Sequence, residues 1–69
     1  MDCLEYLAQY NAFKNGYRHA HQDKMFMNKT KKIIKNIMKI DGVSREDAGI
    51  KLIIMCKNND YIGVKKYYV

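Results

Sequence analysis

Residues 30–46 read T-K-K-I-I-K-N-I-M-K-I-D-G-V-S-R-E, and two features of that stretch decide the fold. The first is its period. At about 100° per residue, Ile33, Ile34, Ile37, Met38 and Ile40 fall on one side of a helix, with Lys31, Lys32, Lys35 and Lys39 on the opposite side. The second is its end. Asp41-Gly42 supplies a residue that tolerates the left-handed conformation closing many helices. Ser44 is then a good N-cap, and Glu46 and Asp47 place acids at the positive end of the next helix dipole. Helix, corner, helix is the reading.

Upstream, Asn28 or Thr30 can cap the helix of 30–40, which leaves 22–29 as a connector. Asp2 stands where an N-cap belongs, and Leu4, Leu7, Ala8 and Asn11 recur at helical spacing behind it. A second set, Tyr6, Tyr10, Phe13 and Tyr17, follows the same period on another face. Asn15-Gly16 can close this first helix, but Tyr17 keeps the stripe in phase and favours a helix running to about His21.

Downstream, the helix of 44–57 is apolar on two sides: Ala48, Leu52, Met55 and Cys56 on one, Ile50, Ile53 and Ile54 on the other. Such a helix lies in the middle of a bundle or at a subunit interface, so a homodimer is a real prospect. A rival reading makes I-K-L-I-I-M-C (50–56) a strand paired with the tail. The capping residues favour helix. The tail, 60–69, is a short helix capped by Asp60 or a strand. The expected fold is therefore all-α: a small bundle of three main helices, about 3–21, 30–40 and 44–57, plus a short C-terminal helix or strand.

Sixty-nine residues suffice for one small domain, which buries only about 60% of its unfolded surface. Two cysteines, Cys3 and Cys56, allow at most one bridge and do not make a disulfide framework. The start M-D-C-L-E-Y lacks the features of a signal peptide, and no run approaches a membrane-spanning length. A cytoplasmic setting with both thiols free is the expectation. Thirteen Lys and Arg against seven Asp and Glu give a net charge of +6, and six of the lysines lie between Lys24 and Ile40 with no acid among them. That block attracts phosphate backbones or acidic surfaces.

The corner G-V-S-R-E, between two apolar helices, resembles the turn and recognition-helix start of helix-turn-helix DNA-binding proteins. The resemblance implies that Gly42 makes the turn, that Val43 is the buried aliphatic, and that Ser44, Arg45 and Lys51 approach DNA. The chain departs from that pattern in the size of Met38, in a lysine at 51, and in the acids Glu46 and Asp47. A second resemblance, I-M-K-I-D-G-V-S-R-E-D-A with N-N-D-Y-I-G-V-K-K-Y-Y-V, is to the three-helix ubiquitin-associated domain. It implies a contact loop at Gly42 and Val43, though the spacing from Leu52 to Asp60 is long by two or three residues. The same residues also meet the ordinary needs of a capped helix corner.

Catalysis has no support in the sequence: it holds no Gly-rich phosphate loop and no nucleophile beside a base, and capping accounts for Asp41, Glu46 and Asp47. Cys3, Cys56, His19 and His21 make a zinc-like count without a zinc-like spacing, so neither metal nor cofactor is expected. The favoured expectation is a nucleic-acid-binding regulator using Lys31, Lys32, Lys35, Lys39, Arg45 and Lys51. The alternative is a protein-binding inhibitor or adaptor, of the kind short phage and plasmid genes encode. It would use Tyr6, Tyr10, Phe13 and Tyr17 against a partner with an acidic patch.

Overall fold

In the computed structural model, which describes residues 2–17 and 23–69, the chain forms four helices and, among those residues, no strand. They are α1 (Cys3–Lys14), α2 (Lys24–Asp41), α3 (Arg45–Lys57) and α4 (Tyr61–Tyr67). The all-α expectation holds, the strand readings of 50–56 and of the tail do not, and two boundaries differ.

The N-terminus of α1 is closed by a reciprocal capping box. The Asp2 carboxylate accepts from the Glu5 amide at 2.7 Å, and the Glu5 carboxylate accepts from the Asp2 amide at 3.4 Å. Its C-terminus lies at Lys14 rather than near His21. Gly16 adopts φ +81°, and the Gly16 and Tyr17 amides turn back to the Phe13 and Ala12 carbonyls at 3.1 and 2.8 Å. This is a Schellman closure, and a left-handed residue cannot continue a right-handed helix, so Tyr17 leaves the stripe despite its phase. His19 and His21 lie outside the described residues.

The larger correction concerns α2. It starts at Lys24, six residues before Thr30, because the Asp23 carboxylate accepts from the Phe26 amide at 3.0 Å and caps it. Neither Asn28 nor Thr30 is a cap. Thr30 sits mid-helix, its hydroxyl donating to the Phe26 carbonyl at 2.8 Å. Of the apolar face, Ile33 and Ile37 are buried and Ile34 and Met38 half-buried. Ile40 is half exposed in the last turn, although its angular position is on the core side.

Gly42, at φ +64°, donates to the Met38 carbonyl at 3.0 Å, and the Ser44 hydroxyl accepts from the Asp47 amide at 3.1 Å. The corner is therefore capped locally on both sides, with Val43 between the caps partly buried against the core. Helix α3 ends on a second Schellman closure, with Asn59 at φ +52° and the Asp60 amide donating to the Met55 carbonyl at 2.9 Å. Asp60 is also the N-cap of α4, its carboxylate accepting from the Gly63 amide at 2.9 Å. One residue thus ends a helix and begins the next.

The four helices share one core, built from Cys3, Tyr6 and Leu7 of α1, Phe26, Ile33 and Ile37 of α2, Ala48, Leu52, Met55 and Cys56 of α3, and Val64 and Tyr67 of α4. Leu4 and Ala8, expected with Leu7 on one face, are exposed, because Cys3, Tyr6 and Leu7 are the residues of α1 that meet the bundle. Both cysteines are free and buried; burial pushes the Cys56 thiol up to about 12 and raises that of Cys3.

Candidate nucleic-acid interface

Because α2 is eighteen residues long, its lysine side is longer than the period of 30–40 alone implies. Lys24, Lys31, Lys32, Lys35 and Lys39 fall within an arc of about 100° along about 22 Å of helix. All five are exposed, and Asn28 lies among them. No hydrogen bond or ion pair joins Lys31, Lys32, Lys35 or Lys39 to another described residue. Their charges face solvent without a counter-ion among the described residues.

Two other cations are differently placed. The Lys29 ammonium rests 3.9 Å from the centroid of the Tyr68 ring, a cation–π contact that holds the C-terminal residues on α2. Lys51 is bound to the Asp41 carboxylate, and the Tyr67 hydroxyl donates to the same oxygen at 2.8 Å. The Lys51 hydrogen bond, then that of Tyr67, holds Asp41 below its ordinary value, and Lys51 is raised in turn. Asp41 is therefore a tie between α2, α3 and α4 rather than a cap, and Lys51 is engaged inside the molecule. Arg45 opens α3 and is exposed. Nothing in the sequence announced the trio, whose members lie ten and twenty-six residues apart.

The aromatic set divides. Tyr6 is fully buried, stacked on Phe26 with ring centroids 5.2 Å apart, and its burial raises its hydroxyl's pKa. Tyr10 is half-buried, Phe13 stands on the surface, and Tyr17 is 81% exposed beyond the end of α1. Tyr6, Tyr10 and Phe13 line one wall of an apolar groove of about 290 Å³, with Met27 and Ile34 of α2 and Gly49 and Ile53 of α3 opposite. Tyr17 is not part of it.

Among the described residues no group of three or more His, Cys, Asp or Glu could hold a metal ion, and no helix is long and apolar enough to cross a membrane. No protein-family model, curated protein or solved structure matches the chain.

Proposed function

We propose that the chain is a small nucleic-acid-binding regulator, a binding protein rather than a catalyst, with the lysine side of α2 as its contact surface. The observation that carries this reading is the row Lys31, Lys32, Lys35 and Lys39, exposed and unpaired among the described residues on a helix with no acid from Lys24 to Ile40. Ammonium groups on such a row replace condensed counterions along a phosphate backbone, and the release of those ions drives association. Lys24 extends the row, and Arg45 adds a cation nearby in the chain. Lys51, tied to Asp41, is left out of the contact set.

Mobility shifts with duplex DNA, single-stranded DNA and RNA test this. Four phosphate contacts give a slope of about −3 to −4 for log affinity against log salt. Lys32→Glu with Lys35→Glu removes the shift while circular dichroism stays unchanged, since both side chains are exposed. A shift that survives the double substitution excludes this face.

The apolar groove favours the second reading, a protein-binding adaptor. In it Tyr10 and Phe13 receive an apolar helix and the lysines steer an acidic partner. Phe13→Ala then weakens capture of the partner and leaves any nucleic-acid shift intact.

A further inference from the structure

Helix α3 has an outer side as well as a core side, and no element among the described residues covers it. Glu46, Ile50, Ile53 and Lys57 are all exposed there, the two isoleucines by 50% and 46%. Their spacing of four, three and four residues is that of a coiled-coil seam, and they fall within an arc of about 60°. Ile54, 53% exposed, flanks the seam. On its other flank the apolar surface continues from Ile53 over the rim of the groove to Phe13.

The order of these four residues selects the occupant. Read from either end, the pattern is charge, isoleucine, isoleucine, opposite charge. We propose that a second copy of this chain covers the face, α3 packing antiparallel on its counterpart about a twofold axis. In that register Glu46 of each protomer meets Lys57 of the other, and Ile50 meets Ile53, in four matched layers. A parallel pairing would set Glu46 against Glu46 and Lys57 against Lys57. The twofold antiparallel contact is self-complementary, as a closed dimer requires. It also opposes the two helix dipoles. Neither Glu46 nor Lys57 has an ion-pair or hydrogen-bonding partner among the described residues, so both are available. The second apolar side of α3 is then an interface, separate from the lysine side of α2.

Sedimentation equilibrium from the micromolar to the millimolar range tests this on the full chain. The expected mass rises from 8.2 kDa towards twice that value. Ile50→Lys, at an exposed position, keeps the helical circular dichroism and stays monomeric. Glu46→Lys and Lys57→Glu each weaken self-association, because each sets like charges against one another in two layers. An equimolar mixture of those two variants associates at least about tenfold more tightly than either alone, since the mixed pair restores every opposite-charge contact. A wild-type chain that stays at 8.2 kDa throughout overturns the proposal. So does a dimer indifferent to Ile50→Lys, or a mixture that associates no better than its components.

Discussion

The hydroxyl of Tyr6 donates to the hydroxyl of Thr30, 2.9 Å away, and fastens α1 to the middle of α2. The direction follows from proton supply: Thr30 has one hydroxyl proton and gives it to the Phe26 carbonyl at 2.8 Å, so its oxygen is left to accept. Tyr6 is wholly buried, and its hydroxyl meets the Thr30 hydroxyl inside the fold. Tyr6→Phe is therefore expected to lower the unfolding free energy by about 1 kcal/mol. Thr30→Val costs more, about 1–3 kcal/mol, because it leaves the Tyr6 hydroxyl buried without an acceptor. Urea titrations of the two variants and their combination measure the coupling, and the double variant costs less than the sum. Strict additivity would mean that the pair contributes nothing.

Asp41 sets an acid limit. Its carboxylate is held below the ordinary range chiefly by Lys51 and then by Tyr67, so the folded state binds its proton less readily than the unfolded chain. The stability this supplies is present above the unfolded value, about pH 4, and is lost as pH falls through the depressed folded value. Urea midpoints taken from neutral pH downward should fall across that window in the wild type. In Asp41→Asn they start lower at neutral pH and fall less. An equal acid slope in both proteins would show that the tie is not formed in solution.

The two helical glycines of α3 and α4 should respond in opposite directions. A Cβ on Gly49 would meet nothing within 4 Å, whereas on Gly63 it would run into the Asp60 carboxylate that caps α4. Gly49→Ala is expected to raise stability by about 1 kcal/mol through helix propensity alone. Gly63→Ala gains the same propensity, but loss of the Asp60 cap, worth up to about 2 kcal/mol, and crowding of the Met55 sulfur at 3.1 Å outweigh it and lower stability. Thermal and urea unfolding of the pair checks both signs together.

Cys56 is 1% exposed, and its thiol is pushed up to about 12 by burial, so almost no thiolate exists at pH 8. Ellman's reagent should therefore label native Cys56 only as fast as the chain opens, and Cys3, 5% exposed and also raised, slowly. Both thiols react at once in urea. Immediate labelling of the native protein at Cys56 would mean that α3 is not packed as described.

What the residues disclosed in advance follows how local each signal is. Ser44 and Asp60 cap the helices that follow them, and each bond closes within three residues, so the starts of α3 and α4 were legible. Asp23 caps α2 in the same way, but K-M-F-M-N-K after it shows no clear stripe, and Thr30 offered a more familiar start. At Gly16 two local signals conflicted, and the left-handed turn prevailed over the phase of Tyr17. The lysine side of α2 was legible because it is a periodicity. The engagement of Lys51 was not, because it depends on where Asp41 and Tyr67 arrive when three helices come together. The groove was half legible: the α1 stripe supplied Tyr6, Tyr10 and Phe13, while the opposing wall is a product of packing.

The place of α4 in the core has a consequence for biosynthesis. Val64 and Tyr67 are 0% and 2% exposed, the Tyr67 carbonyl receives the Asn36 amide at 2.8 Å, and the Tyr61 carbonyl lies 4.0 Å from the Cys3 sulfur. A nascent chain still threaded through the ribosome at these positions lacks the wedge that closes the other three helices. Folding therefore waits until Tyr67 has left the exit tunnel. Products of premature termination or of C-terminal clipping before Tyr67 emerge as open chains, which quality-control proteases remove first.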